Sequence, residues 1–333
     1  MISELRPLSL GEILDRAIAI YRKNFVTLVG IVAIIAAPIL VLQLVAALLA
    51  LPTDPFLLTR PDATGQPNTQ FAPFFAYYGV VMLLALIQGI GNIFQTGTLV
   101  VAISQAYHGH PGSIRQAYAG MLPRWASLLL ALIIVGLVDL AIYFAIFAPF
   151  VAATMTGALL AVSSTNSSAG SLGVLAGMGL ACLLFIPAVI LLIFVNVRWT
   201  FQTQAIMLEK LNAVGGLRRS WNLISGSFWR VLGVLAVLVI LMWVLAGVPT
   251  YAAQMAVSFL MPRSMVASMG VSSVLSAFIQ IFIAPIQIAV LTVLYYDLRV
   301  RREGYDLDLK AQELTPPPAP PAQTELYDTL SPS

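Results

Sequence analysis

The side chains able to do chemistry in this chain are few and scattered. Both histidines sit in one tripeptide, His108-Gly109-His110, followed by Pro111. Two imidazoles so placed hold a metal only if further ligands come from elsewhere, and the same residues suit a turn between two segments. Cys182 is the single cysteine and lies within an apolar run, which excludes an intramolecular disulfide and a multi-cysteine metal centre. Asp139 is an acid inside another apolar run. An intramembrane carboxyl is costly, so it reads either as a proton or cation handle or as a structural acceptor for a neighbouring helix. Gln88, Asn92 and Gln95 fall at i, i+4 and i+7, one stripe of a helix. Such a stripe bonds between helices or lines a solute path. The phosphate-loop, nucleophile-elbow and zinc-helix motifs are missing. The sequence therefore predicts a non-enzyme with no catalytic residue, cofactor or metal site.

The densest polar group is RRSWNLISGSFWR, Arg218 to Arg230, which leads straight into an apolar run. Nucleic-acid binding needs a basic face free to meet phosphates. Here the tryptophans belong instead at the headgroup level of a bilayer, with basic side chains reaching past them toward water. The stretch is read as an interface anchor, and no nucleic-acid partner is expected.

The elements that carry these residues are set by composition. Of 333 residues, 59% are hydrophobic and 9% charged, far below the roughly 25% charged of soluble domains. Six apolar runs each exceed the ~20 residues needed to cross a bilayer: Phe25 to Leu51, Phe74 to Ile103, Trp125 to Leu160, Leu172 to Val197, Val231 to Leu260 and Val271 to Tyr296. The predicted fold is all-α, a polytopic bundle of six transmembrane helices. With six spans, fifteen of the 17 basic residues fall on the side of the termini, and only Arg60 and Arg263 fall on the other. The positive-inside bias then predicts cytoplasmic N- and C-termini.

The runs are organised as a repeat. Arg115 to Trp125 (RQAYAGMLPRW) and Arg218 to Phe228 (RRSWNLISGSF) share an arginine and two aromatics in register, and Asp15 to Phe25 (DRAIAIYRKNF) keeps the last aromatic. The closing aromatics are 100 and then 103 residues apart. This spacing predicts three hairpin units, about 8–110, 111–212 and 213–305, within a membrane domain 1–310. Each unit opens with a cytoplasmic amphipathic helix. Ser9 to Glu12 (SLGE) and Ser113 to Gln116 (SIRQ) read as capping boxes, whereas Gly215-Gly216 leaves the third start less defined. These helices lie in the interface or pack their apolar faces on the bundle. Arg16, Arg115, Arg218 and Arg219 are the expected contacts to anionic headgroups or to a membrane or cytoplasmic protein partner. Tyr21, Tyr118, Trp125, Trp221 and Trp229 are expected to set depth. Pro52 to Pro73 and Ser163 to Ser171 read as outer loops, and 311–333, with PPPAPP, as a disordered cytoplasmic tail.

Three stretches carry a family resemblance: LSLGEILDRAIAIYRKNF, LRRSWNLISGSFWRVLG and LYYDLRVRREGYDL. They resemble the bacterial glycerophosphoryl diester phosphodiesterase membrane-domain family, six-span integral membrane proteins of unknown function. The resemblance implies a membrane module of the bacterial inner membrane. It brings no phosphodiesterase activity, because the histidine, glutamate and aspartate set of the soluble barrel joined to some members is missing. The expected role is a membrane scaffold or a membrane subunit of an envelope or lipid-related system. The competing expectation is a transporter or channel-like component with a polar site around Asn92 and Asp139.

Overall fold

A computed structural model of the chain describes residues 8–50, 71–110, 112–163, 167–260 and 265–304. Among them the fold is all-α, with no strand. In chain order the helices are α1 (Leu10–Lys23), α2 (Phe25–Ala50), α3 (Phe71–Tyr107), α4 (Ile114–Met121), α5 (Trp125–Ser163), α6 (Ser167–Arg198), α7 (Gln202–Leu208), α8 (Ala213–Ile224), α9 (Phe228–Met242), α10 (Val248–Leu260) and α11 (Met265–Glu303). Six segments are long and apolar enough to span a membrane: α2, α3, α5, α6, the continuous α9–α10 pair, and α11. The chain is a multi-pass membrane protein. Helices α5 and α11 have 39 residues each, roughly 58 Å at 1.5 Å per residue, well beyond a ~30 Å hydrocarbon core.

Local sequence explains the element ends. Ser9 caps α1 as expected: its hydroxyl accepts from Glu12 N–H, and the Glu12 carboxylate accepts from Ser9 N–H at 2.6 Å. Asn24 stops α1, its side-chain amide donating to Ile20 O, and α2 begins at the next residue. Between α9 and α10 a π-helical segment, Trp243–Gly247, has Val248 N–H donating to Trp243 O. Pro249 follows directly, and the wider turn accommodates a residue that lacks an N–H and crowds the preceding carbonyls.

The packed core lies at one end of the bundle. It joins the inner face of α1 (Ile13, Ala17), the start of α2 (Leu28, Ile31), the end of α3 (Leu99, Ile103), Leu223 and Ile224 of α8, the start of α9, and Ala289 to Leu298 of α11. The other halves are open. In the most apolar window of α3 only 6% of residues are buried, and Met82 and Leu86 are 65% and 60% exposed. Hydrocarbon is the solvent such faces are suited to. Helix α11 is the hub, packing on α1, α2, α3, α8, α9 and α10.

Several sequence expectations need correction. Ser113 precedes α4 but makes no side-chain capping bond, so SIRQ is not a capping box. Helix α8 is well defined: Asn212 caps it at 2.7 Å from Gly215 N–H, and both glycines lie inside it. Gly216 is there for closeness, since a Cβ would stand 2.4 Å from Ile206 Cγ1 of α7. Helix α6 already starts at Ser167, and α3 at Phe71, so both outer loops are shorter than expected. The remaining residues of those loops, 52–70 and 164–166, and the tail 311–333 lie outside the described residues. Adjacent spans pack as pairs, α2 on α3, α5 on α6 and α10 on α11. Helix α7, which sequence periodicity did not show, stands between α6 and α8, whereas only a short turn joins α3 to α4.

Candidate functional site

The packed end is held by two charged clusters. In the first, the Asp297 carboxylate of α11 is wholly buried. Oδ1 accepts from Leu8 N–H at 2.7 Å, and both oxygens accept from Arg301 Nε, at 3.1 and 3.0 Å. Oδ2 also accepts from Arg230 Nη2 at 3.0 Å. Both arginines donate to Leu8 O as well, at 2.5 Å from Arg230 and 2.8 Å from Arg301. One carboxylate thus fastens the residue ahead of α1 to the start of α9 and the end of α11.

In the second cluster, Arg219 of α8 grips Glu209 through two bonds of 2.7 and 2.9 Å and also pairs with Glu303. Arg299 stands 3.6 Å from Glu209 and 3.3 Å from Glu303, and the Tyr295 hydroxyl donates to Glu209. The hydrogen bond to Glu303 and, against the opposing cost of burial, that to Glu209 push the Arg219 guanidinium above its ordinary pKa. Beside these clusters, Arg302 donates to Asn222 O and Leu223 O, carbonyls at the end of α8. Arg198 lies 5.0 Å from the Trp221 ring, 5.1 Å from Phe194 and 5.7 Å from Phe228. Cation–π contacts of this type contribute on the order of 0.5–2 kcal/mol.

The residues singled out from sequence divide into two groups. Arg16, Tyr21, Tyr118, Arg219 and Trp221 are engaged within the protein. Arg16 lies 4.5 Å from the Tyr107 ring. The Tyr21 hydroxyl donates to Phe282 O at 2.8 Å, one turn before Pro285 loosens the ladder of α11, and burial raises its pKa. The Tyr118 hydroxyl donates to Ile31 O at 2.8 Å. Amphipathic faces that could have rested on lipid therefore pack on the bundle. Arg115, Trp125, Arg218 and Trp229 face outward, Trp229 at 80% exposure.

The polar intramembrane residues also separate. Gln43 bridges to Gln88 at 3.3 Å, and Gln88 to Asn92 at 3.4 Å, tying α2 to α3. Asn92 then lines a cleft of about 250 Å³ with Gly89, Thr96, Leu128, Gln202 and Thr203. Gln95, half-buried on α3, and Asp139 do not line it. Asp139 instead accepts from Asn196 of α6 at 3.0 Å. His108 Nδ1 lies 2.8 Å from Ser104 O in a turn where Gly109 has φ +82°. Among the described residues no group of three or more His, Cys, Asp or Glu could hold a metal.

Sequence reading missed Asp297, Glu209 and Glu303. Two signals were present: Asp297 and Arg301, like Arg299 and Glu303, stand at i, i+4, and three of the few acids lie among the basic flanks.

No curated protein and no solved structure gives a significant match to this chain. A family model does match, over residues 8–298, described as a domain of unknown function, DUF7847. Those residues run from the clasped Leu8 to Leu298 of α11, and the chain belongs to the DUF7847 family.

Proposed function

We propose that this protein is a non-enzymatic scaffold of the bacterial inner membrane, with both termini cytoplasmic, serving as the membrane subunit of an envelope or lipid-related system. The observation that carries this reading is the split between a locked, ion-paired basic end and apolar helix halves left open. A rigid basic end orients the spans, and the open faces are free to meet lipid or the spans of a partner. The expectation of a glycerophosphodiester-related membrane module agrees with this role, which does not depend on it. Photo-crosslinkers at Met82 and Leu86 in native membranes test it. Discrete protein adducts at these positions, absent from crosslinkers on Val80, support a scaffold. Adducts to lipid alone at every position overturn it.

A second reading, a transporter or channel-like component, is favoured by the cleft beside Asn92. Flux in vesicles that Asn92→Leu abolishes, while Asp139→Asn preserves the fold, would support it. Unchanged flux in both variants would remove these residues from the case.

A further inference from the structure

We propose that the cleft at the start of α9 binds a phosphate-bearing anion, supplied in the membrane by the headgroup of an anionic phospholipid. The cleft, of about 480 Å³, is lined by Gly226, Ser227, Phe228, Trp229, Arg230 and Arg301. Two guanidinium groups meet one carboxylate, Asp297, so the trio carries a net charge of +1 (two minus one). Asp297 and Leu8 O occupy Nη2 of Arg230, and Nε and Nη2 of Arg301. Arg230 Nε is enclosed and does not face the cleft, but both side chains line it and remain 33% and 30% exposed. Positive charge therefore reaches the cleft after the internal pairing is satisfied.

The backbone adds neutral donors to the same cleft. Val231 is the first residue of α9 whose N–H bonds back, to Ser227 O, and the Ser227 side chain caps nothing. The N–H groups of Phe228, Trp229 and Arg230 are thus free to meet an anion. Gly226 lets Arg302 come close beside the cleft: a Cβ there would stand 2.6 Å from Arg302 Nη2. A phosphate oxygen has the size and acceptor capacity to take both N–H and guanidinium donors.

The lipid is favoured as source by position. Exposed Trp229 lines the cleft and opens the fifth span, and tryptophan in that place marks headgroup depth. This step rests on the packed end lying at a headgroup surface, not on the scaffold role.

The test uses the full chain in detergent and reads binding of short-chain phosphatidylglycerol, phosphatidylcholine and inorganic phosphate by native mass spectrometry and titration. The informative variant is Ser227→Asp, which sets a carboxylate at the cleft and leaves Asp297 and its partners untouched. Aspartate is also a favoured N-cap, so the fold is retained. Saturable phosphatidylglycerol binding, weakened at least tenfold by Ser227→Asp with thermal stability unchanged or raised, is the expected result. Arg301→Gln should weaken binding similarly. Saturation by inorganic phosphate alone supports the anion site and overturns lipid as its source. Binding of phosphatidylglycerol undiminished in Ser227→Asp, or no stronger than that of phosphatidylcholine, overturns the proposal. The crosslinking result on α3 is independent of either outcome, so failure of the scaffold role and failure of this site are read separately.

Discussion

Replacing Asp297 with asparagine removes the charge that both Arg230 and Arg301 answer, while the side-chain volume stays the same. Severing a fully buried ion pair costs about 3–5 kcal/mol. Here water can reach both arginines, each about a third exposed, so the expected loss is about 2 kcal/mol. Unfolding of detergent-solubilised protein by denaturant should show it, and limited proteolysis should cut near Leu8 sooner. A smaller effect is expected for Tyr118→Phe. Its one bond, to Ile31 O, joins α4 to α2, and a single polar bond between membrane helices averages about 0.6 kcal/mol. These residues were hard to find from sequence for a geometric reason. Arg301 lies four positions from Asp297, but its other partners, Arg230 and Leu8, lie 67 and 289 positions away, and no pattern along the chain brings them together. Asp139, by contrast, was conspicuous as an acid in an apolar run, and it accepts from Asn196 of the neighbouring span.

At the scale of elements, two glycines in helices predict opposite outcomes. A methyl at Gly216 would collide with Ile206 of α7. Gly216→Ala should therefore destabilise by roughly 1–3 kcal/mol, the usual range for overpacking. Gly136 of α5 has open space around the added carbon, so Gly136→Ala should be neutral or stabilising by up to about 1 kcal/mol, the helix-propensity gain. Parallel thermal melts of the two variants in one detergent check the pair. Ser9→Ala, which removes the capping bond of α1, should cost about 1 kcal/mol. Span positions were legible because an apolar run long enough to cross a bilayer is a one-dimensional property. Helix α7 was not, since its seven residues are too short to show a period, and Phe201, Ala205 and Ile206 are buried by tertiary packing.

For the whole molecule, the proposed orientation makes a labelling prediction. Arg115 is exposed near the packed end, and free Cys182 is exposed on α6. In a Cys182→Ser background, Arg115→Cys should react with a charged maleimide in inside-out vesicles and resist it in intact cells. The reverse pattern would invert the topology. Native Cys182, set in the apolar part of α6, should react only with membrane-permeant reagents. The membrane class followed from composition, and the number of spans from the apolar runs along the chain. The uneven packing did not, because hydropathy is high along the whole of each span and only contacts between spans reveal which half is enclosed.

The fastening of Leu8 to Asp297 also bears on biogenesis. Leu8, ahead of α1, has its partner on α11, so this joint cannot close until α11 has left the ribosome and inserted. Until then α1 lacks the helix it packs against most, and the early spans must wait in the bilayer with that surface uncovered. A nascent chain stalled after α10 should therefore keep its N-terminal segment open to added protease.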